Sequence, residues 1–592
     1  MQANSFTQQR ADGGAAHSDY VTLEYMYNFV GDKLIFLQDW RGWLGQRSIE
    51  RNKRAFYPLM VALLACLLTS LLLTGCNTLP ADVQRPVSAA LTPSELMATR
   101  LGSEVARRAG AATTKNDSAF ALVGSAELAF TSRMALIKAA DKTLDLQYYA
   151  IHADKTTEQL FSALKDAASR GVRVRLLLDD FNTAGKNAQV LKLGFEKNVE
   201  LRLFNPLPSN RASALWRIVS SLSDAARLQR RMHNKTFVAD NAVAITGGRN
   251  LGDTYFGESD GVNFIDIDVL TAGRITRDLS TSFDKYWNNP LAYPVQSLIT
   301  AAEVEALKPP AAPTSQGFID TAVAAVAKPD AIEGASALPE ATNLALLTWT
   351  WAASTLLVDE PSKIAADADA VDEAQDTAVD GLLGLMSQAK TDLLIVSPYF
   401  VPGAQMMQQF ADIRQRGVRI RVLTNSLASN DAVAAHAGYA RYRKALLALG
   451  IELYEMRAEQ RGTLRANYSS LGSSGSAGRS GGESRASLHA KAVVIDKRLL
   501  VVGSMNLDLR SKLQNSEVAV VLRSSKLASE ATALIEPGLA KGAYKVENSG
   551  DGLVWRAPQG SGLPDATSEP DASLGLKILV RVIGPFAPDE ML

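Results

Sequence analysis

Two stretches of the sequence share one spacing: HNKTFVADNAVAITGGRN at residues 233–250 and HAKAVVIDKRLLVVGSMN at residues 489–506. In each stretch a lysine follows the histidine by two positions, an aspartate by seven, a glycine by fourteen and an asparagine by seventeen. At ordinary residue usage, one histidine meets the His–Lys–Asp part of this pattern by chance about three times in a thousand. The chain has five histidines, and two of them carry the complete pattern. The spacing therefore indicates a duplicated functional motif.

The sequence on the N-terminal side of each motif is repeated too. The segments RGVRVRLL (170–177) and RGVRIRVL (416–423) are 246 residues apart, close to the 256 residues that separate the two histidines. In each copy the apolar pattern predicts a strand, then a helix, then a second strand. The predicted elements are strands at 142–149 and 172–178 around a helix at 157–169, and strands at 391–400 and 418–423 around a helix that ends at 416–417. This order predicts α/β layers in two related halves.

The composition outside the repeats suggests how the chain is divided. We expect one half at residues 92–308 and the other, with a C-terminal extension, at residues 379–592. Residues 309–378 are rich in Ala, Asp, Glu and Pro, and we interpret them as a linker or insertion with helical pieces. A Gly- and Ser-rich stretch at 469–487 predicts a mobile surface loop directly before the second motif.

The N-terminal region has the pattern of a secretory signal. An uncharged apolar run at residues 55–75 follows basic residues, and the sequence Leu-Thr-Gly-Cys at 73–76 resembles the lipobox of bacterial lipoproteins. We therefore predict that residues 55–76 are a signal, that Cys76 is acylated, and that residues 77–91 are a tether. An uncleaved transmembrane anchor is the open alternative. Residues 1–54 are too long for the start of a signal, and our hypothesis is an over-extended gene start.

Charge and cysteine content exclude several classes of site. The chain has 62 Lys and Arg against 62 Asp and Glu, so the charge balance does not indicate a general attraction to nucleic acid or anionic lipid. Its two cysteines, Cys66 and Cys76, both lie in the N-terminal apolar stretch. A disulfide framework and a cysteine-based zinc site are therefore excluded.

The histidine and lysine of each motif suit chemistry at a phosphodiester, an anion that resists nucleophiles. Residues two apart on an extended strand share one side, so His233 and Lys235 are expected to face one cleft, as are His489 and Lys491. The two ammonium groups can neutralise phosphoryl oxygens as charge redistributes in the transition state. One imidazole can attack phosphorus and form a covalent phosphohistidine. The other can protonate the leaving alkoxide and then deprotonate the incoming alcohol or water.

Amide and carboxyl side chains are expected to complete the site. The glycine of each motif predicts a turn, after which Asn250 and Asn506 can donate to the same phosphoryl oxygens. Each histidine also needs an orienting carboxylate on its other ring nitrogen. The candidate in the second copy is Glu517, 28 residues after the histidine. In the first copy the candidates are Asp266 and Asp268, of which Asp266 is favoured.

The aspartates of the two motifs, Asp240 and Asp496, are included among the site residues. We expect them to brace the local backbone rather than touch substrate.

These residues resemble the phospholipase D superfamily and, more narrowly, its cardiolipin synthase C-type branch. The resemblance rests on the paired motifs and on GGRNLGDTYF (247–256), GSMNLDLRSKLQNSE (503–517) and NDAVAAHAGYARYRKALLALGIELYEM (430–456). It implies two tandem α-β-α sandwich domains with one active site at a pseudo-twofold interface. It implies no metal or cofactor, and transfer of a phosphatidyl group through a phosphohistidine to the head-group alcohol of a second phospholipid, which forms cardiolipin. Phosphatidylglycerol or phosphatidylethanolamine is the implied donor. Both interpretations of the N-terminal segment predict that the catalytic part lies on the extracytoplasmic side of a bacterial membrane.

The resemblance leaves three points open. His436 lies in the AAHAGY segment, and it either lines a head-group pocket or is a packed structural histidine. Gly248 stands where the superfamily usually has the serine that Ser504 supplies in the second copy, which leaves the nucleophile open; analogy favours His233. A hydrolytic phospholipase D that releases phosphatidic acid, and an inactive scaffold lipoprotein, are the alternative functions.

Overall fold

The structure is a computed structural model that describes residues 79–112, 116–207, 225–259, 261–306, 347–365, 377–458, 485–550 and 552–589. The strands of its first half are β1 (Ser118–Val123), β2 (Thr143–Tyr148), β3 (Arg173–Asp179), β4 (Val199–Phe204), β5 (Thr236–Ala239), β6 (Val243–Gly247), β7 (Val262–Ile265), β8 (Asp268–Gly273) and β9 (Ala292–Pro294). Those that follow are β10 (Thr350–Trp351), β11 (Ala353–Val358), β12 (Asp392–Val396), β13 (Arg419–Asn425), β14 (Glu452–Met456), β15 (Arg485–Leu488), β16 (Ala492–Ile495), β17 (Leu499–Gly503), β18 (Val518–Arg523), β19 (Ala543–Asn548) and β20 (Leu553–Arg556).

The helices alternate with these strands along the chain. They are α1 (Pro93–Met97), α2 (Arg100–Ala111), α3 (Ala126–Ala139), α4 (Lys155–Ser169), α5 (Ala225–Gln229), α6 (Asp253–Phe256), α7 (Arg274–Trp287), α8 (Ala301–Ala306), α9 (Ser362–Ala365), α10 (Ala378–Met386), α11 (Gly403–Gln415), α12 (Val433–Ala448), α13 (Leu509–Leu513), α14 (Ser525–Pro537) and α15 (Leu574–Ile583).

The strands form two large sheets of matching topology. The first has the order β10-β1-β8-β6-β5-β2-β3-β4-β9, and the second has the order β11-β18-β17-β16-β12-β13-β14-β19-β20. In both sheets the three strands that include the predicted strand–helix–strand unit are parallel, β2-β3-β4 and β12-β13-β14. The remaining pairs are antiparallel. The duplication and the α/β class predicted from the sequence are therefore confirmed.

Local sequence explains the crossover units. Helix α4 begins after Asp154, whose carboxylate accepts from the backbone N–H of Thr157 at 3.3 Å. It ends before Gly171, which has a φ of 96°, and α11 ends before Gly417, which has a φ of 80°. Side chains rarely adopt this left-handed conformation, so the glycine in each Arg-Gly pair allows the chain to turn into the next buried strand.

The two sheets meet in a shared core. Each half has its own apolar cluster, and a third cluster combines Phe120, Ile267 and Val269 of the first half with many residues of the second. The contacts are reciprocal, because α7 packs on β11 and α14 packs on β1. The halves belong to one unit that extends from Thr78 to Leu592.

The segments between and before the halves differ from their interpretation as linker and tether. The predicted linker contains β10, at the edge of the first sheet, and β11, at the edge of the second. The predicted tether packs on the first half: Arg202 donates to the carbonyl of Pro86, and the backbone N–H of Ala90 donates to Asp284 at 2.7 Å. The Gly- and Ser-rich stretch lies outside the described residues up to 484, but its last residues belong to strand β15.

Candidate active site

Each motif histidine directly precedes a central strand of its sheet. His233 lies before β5 and His489 lies before β16, and the two residues are 9% and 5% exposed. The ammonium of the lysine two residues on turns back to donate to the carbonyl of its own histidine, at 2.7 Å for Lys235 and 2.7 Å for Lys491. Histidine and lysine therefore lie just before the strand rather than in it, and a hydrogen bond to the backbone keeps each lysine beside its histidine.

The orienting carboxylates are exchanged between the halves. Nδ1 of His233 lies 3.0 Å from a carboxylate oxygen of Glu517, and Nδ1 of His489 lies 2.7 Å from Asp266. The sequence indicates both carboxylates, but the prediction that each orients the histidine of its own copy is wrong. With Nδ1 engaged in this way, the Nε2 atom of each imidazole is left for chemistry.

Backbone pairing between the halves enforces this exchange. The N–H of His233 donates to the carbonyl of Ser516 at 2.9 Å, and the N–H of His489 donates to the carbonyl of Ile265 at 2.8 Å. Strands β7 and β15 also pair in parallel, so the residues before Asp266 run beside those before His489. Each histidine is thus held next to the residue that precedes the carboxylate of the other half.

The rival candidate Asp268 has a different partner set. Its carboxylate accepts from Arg133 at 2.9 Å and lies 3.4 Å from Arg249. Asp268 is fully buried in this ion pair and lies two residues after Asp266. Asp266 is therefore the orienting carboxylate and Asp268 is a structural one.

The glycine that departs from the superfamily pattern is required by Asp266. A Cβ atom at Gly248 would lie 2.4 Å from Oδ1 of Asp266, closer than real Cβ atoms approach an oxygen. At the equivalent position the hydroxyl of Ser504 donates to Glu517 at 2.5 Å. A serine suits the longer carboxylate and a glycine suits the shorter one, so the two positions differ for a steric reason.

The aspartates of the motifs lie at the far ends of the central strands. Asp240 accepts from the backbone N–H groups of Asp141, Lys142 and Thr143 at 2.8–2.9 Å. Asp496 accepts from the backbone N–H groups of residues 390–392 in the same way. The structure does not bring them to the histidines, and their contacts brace the start of β2 and β12.

The two motif asparagines have different surroundings. Asn250 accepts from the backbone N–H of Ala150 at 3.2 Å and donates to the hydroxyl of Tyr255 at 3.0 Å. Asn506 is 4% exposed, and its side-chain oxygen has no hydrogen-bond partner among the described residues. One amide proton of Asn250 is therefore used by Tyr255, whereas the Asn506 amide is held less firmly.

Burial and mutual repulsion lower the basicity of the cluster. Burial lowers the pKa of His233 to about 4, against the opposing effect of Glu517. Burial also lowers the pKa of His489 well below its ordinary value, and Lys491 adds to the effect. Burial also lowers the pKa of Lys491 to about 8 and that of Lys235 well below its usual range. Lys491 acts on His233 and Lys235 acts on His489, so the four groups share one electrostatic neighbourhood across the two halves. An anion bound between these groups would stabilise their charged forms.

Comparison with known proteins agrees with this geometry. The family model described as "Cardiolipin synthase, PLD-like domain" matches residues 134–287 and 382–537, which together cover more than half of the chain. The chain belongs to the phospholipase D superfamily. Cardiolipin synthase C of Escherichia coli (strain K12) is 38% identical over 400 residues, which cover 68% of this chain and 80% of that protein.

Two further relatives extend the comparison within the superfamily. An uncharacterized protein of Helicobacter pylori (strain ATCC 700392 / 26695) is 29% identical over 470 residues, which cover 78% of this chain and 88% of that protein. The crystal structure of phosphatidylserine synthase from Haemophilus influenzae Rd KW20 superposes with a TM-score of 0.51 and 13% identity, over 83% of this chain and 100% of that one. At this identity the superposition supports the phospholipase D fold alone.

The phospholipase D site includes aromatic residues that sequence reasoning missed. Tyr149 lies edge-on to His233 with ring centroids 5.0 Å apart, and its ring lies 5.6 Å from the ammonium of Lys235. Tyr255 and Phe264 flank His489 at 5.3 and 5.0 Å. Two features of the sequence could have indicated these rings: Tyr255 belongs to the GGRNLGDTYF segment, and Phe264 lies two residues before Asp266. These rings exclude water from the imidazoles and contribute to their lowered pKa.

An exposed carboxylate also belongs to the surroundings of the second histidine. Asp431 accepts from the hydroxyl of Tyr399 at 2.8 Å. Burial lowers the pKa of His489 and of Lys491, and the charge of Asp431 opposes that effect at both groups. Asp431 therefore lies within electrostatic reach of the second half of the site.

His436 does not join the site, and the structure places it in a buried network instead. Its side chain is fully buried on α12, with Nε2 2.9 Å from the guanidinium of Arg443 and 3.5 Å from Glu569. Arg443 also binds Glu455 at 2.8 Å. The contacts favour the packed structural histidine over a residue that lines a head-group pocket.

The predicted signal segment and Cys76 lie outside the described residues. None of the helices that the structure describes is long and apolar enough to cross a membrane. Within the described ranges, no group of three or more His, Cys, Asp or Glu side chains is arranged to hold a metal ion.

Proposed function

We propose that this chain is a phosphatidyltransferase that forms cardiolipin from two phospholipids. The observation that carries the proposal is the reciprocal pairing of His233 with Glu517 and of His489 with Asp266, which leaves two imidazoles with free Nε2 atoms beside two lysines. Two such groups are what a two-step displacement at phosphorus needs. The relative that is 38% identical is named cardiolipin synthase C.

The first step forms a phosphatidyl-histidine. Nε2 of His233 attacks the phosphorus of the donor lipid, the bond from phosphorus to the head-group oxygen breaks, and His489 gives its Nε2 proton to that oxygen. His233 suits the role of nucleophile because its partner carboxylate is held ionised. Burial opposes the ionisation of Glu517, but His233, Lys235 and Ser504 together lower its pKa.

The second step transfers the phosphatidyl group to the second lipid. His489 takes a proton from the head-group hydroxyl of that lipid, whose oxygen attacks phosphorus as the nitrogen–phosphorus bond breaks. His233 returns to its starting state and the atoms balance. The lysines stabilise the negative charge on the phosphoryl oxygens in both steps. The bound phosphodiester also raises the pKa of both imidazoles, so that His489 can hold the proton it donates.

The substrates and location follow the same proposal. Phosphatidylglycerol or phosphatidylethanolamine supplies the phosphatidyl group, with glycerol or ethanolamine as the leaving alcohol. Acylation of Cys76 holds the enzyme on the extracytoplasmic side of a bacterial membrane, where it meets lipids by lateral diffusion. The support for the anchor is the sequence Leu-Thr-Gly-Cys at 73–76 after an apolar run.

The test is lipid product analysis with the purified full chain and vesicles of phosphatidylglycerol, alone and mixed with phosphatidylethanolamine. We expect cardiolipin from the wild type and from Lys526→Ala, an exposed lysine on α14 that serves as a control. We expect none from His233→Ala or His489→Ala. Phosphatidic acid alone would establish hydrolysis instead of transfer. No lipid product from the wild type would leave the inactive scaffold as the answer, and equal cardiolipin from the wild type and both histidine variants would refute the histidine mechanism.

A further inference from the structure

Exposed apolar side chains are concentrated near the C-terminus. Eight large hydrophobic side chains are exposed among the described residues, and five of them lie in the segment from Leu563 to Val582. Four of the five are on helix α15, where Leu574 is 74% exposed, Val582 57% and Ile578 52%. A soluble surface usually scatters such residues singly, so the concentration marks an interaction surface.

Most apolar residues of α15 lie on two opposite sides of the helix, and Leu579, which is 43% exposed, lies between them. One side packs on α12 and carries the half-buried residues Leu576, Val580 and Ile583. The other side carries Leu574, Ile578 and Val582, which are four positions apart and therefore form one stripe along the helix. This second stripe faces away from the protein. We name it the outer stripe.

Basic residues border the outer stripe. Lys577 and Arg581 lie one position before Ile578 and Val582, and α15 contains no acidic residue. No described carboxylate pairs with either: Lys577 donates to Ser568 at 3.1 Å. An apolar stripe edged by unpaired cations is complementary to the acyl region and anionic head groups of a phospholipid surface.

The size of the surface argues against a second copy of the chain as its occupant. Helix α15 has 10 residues, so it is about 15 Å long. A stable interface between proteins buries about 800 Å² on each partner, far more than one stripe of three side chains offers. A bilayer needs no such area, because it supplies acyl chains for each side chain separately.

The position of the helix connects the outer stripe to the active site. Helix α12, on which α15 packs, begins two residues after Asp431. Asp431 acts on His489 and Lys491, where it opposes the lowering of their pKa by burial. Helix α12, on which α15 packs, therefore begins close to the active site.

We propose that the outer stripe of α15 lies in the interface of a phospholipid bilayer and holds the active site against it. This deepens the proposed function and rests on it, because the bilayer is the source of the proposed substrates. It is a second membrane contact, separate from any anchor at Cys76.

A fluorescent probe at the stripe tests the contact directly. Cys66 and Cys76 are replaced by Ala and Ser in the full chain, and Ile578→Cys is labelled with nitrobenzoxadiazole; the matched control is Ser169→Cys on α4, an exposed position. With vesicles of phosphatidylglycerol and phosphatidylcholine we expect a blue shift at 578 that brominated acyl chains quench, and no change at 169. An unchanged probe at 578, or equal changes at both positions, would overturn the proposal. So would a shift at 578 without lipid that grows with protein concentration, because it identifies a second copy as the occupant.

Measurement of enzyme turnover is a second test of the bilayer contact. In the triple variant Leu574→Ser, Ile578→Ser and Val582→Ser, we expect the ratio of turnover on vesicles to turnover on detergent-dispersed lipid to fall about tenfold, because three apolar contacts are lost. Ser169→Asn should leave that ratio unchanged. An unchanged ratio in the triple variant would contradict the proposal. If the wild type makes no product on either substrate, the proposed function fails and the probe alone decides the bilayer contact.

Discussion

The imidazole of His489 is oriented by Asp266, a residue 223 positions earlier, through a contact of 2.7 Å between Nδ1 and Oδ2. His233 is oriented by Glu517, 284 positions later. Each half therefore supplies one histidine and the carboxylate that orients the other. Neither half contains a complete site, so the duplicated fold is catalytic only as a pair.

Removing the orienting carboxylates should affect the two steps differently. We expect Glu517→Gln to slow formation of the phosphatidyl-histidine and Asp266→Asn to slow proton transfer, each by about 100-fold or more, with KM little changed. Rapid-quench measurement of the phosphoenzyme with radiolabelled lipid separates the steps. Variants that raise KM for lipid and leave kcat unchanged would show that these carboxylates bind substrate instead.

The steric match between Gly248 and Asp266 can be tested by one substitution. Gly248→Ser places a Cβ 2.4 Å from Oδ1 of Asp266, so the carboxylate must move away from His489. We expect kcat to fall about 10-fold or more, because an imidazole without its partner loses orientation. Gly110→Ser is the control, since nothing lies within 4 Å of a Cβ there. Unchanged kcat in Gly248→Ser would contradict the steric account.

Stability should depend on pH through the buried histidine. Burial lowers the pKa of His233 from 6.5 to about 4, so the unfolded chain binds the proton more tightly than the folded one. The free energy of unfolding should therefore fall as the pH decreases from about 6.5 to about 4, by up to about 3 kcal/mol for this group. In His233→Asn that part of the loss should disappear. Urea denaturation at a series of pH values measures it, and identical pH profiles for the two proteins would contradict the assignment.

His436 should matter for stability and not for turnover. Its contacts with Arg443 and Glu569 are buried, so His436→Ala should lower the free energy of unfolding by about 1–3 kcal/mol. We expect kcat and KM of the folded enzyme to stay within about twofold, since this side chain is fully buried in that network. Thermal denaturation and steady-state kinetics decide between the two roles. A raised KM for lipid at unchanged stability would show that His436 lines a head-group pocket instead.

The sequence predicted the parts of the fold that are set by local patterns. Strand β2, helix α4 and strand β3 lie within one or two residues of their predicted ranges, because apolar alternation and the Arg-Gly helix end are local signals. The two His–Lys pairs were found because the same spacing of residues occurs twice in the sequence.

Features set by tertiary packing were not predictable in the same way. The exchange of Asp266 and Glu517 depends on how two sheets meet, and no spacing within either copy records it. Strand β10 has two residues and is formed by its partner β1, so it has no pattern of its own. His436 is buried by contacts that include Glu569, 133 residues away.

The most direct measurement is a crystal structure with tungstate, an oxyanion that stands in for the phosphoryl group. We expect one bound oxyanion within hydrogen-bonding distance of Nε2 of both His233 and His489, with the ammonium groups of Lys235 and Lys491 in contact with its oxygens. Two separate ions, each in contact with a single histidine, would contradict it.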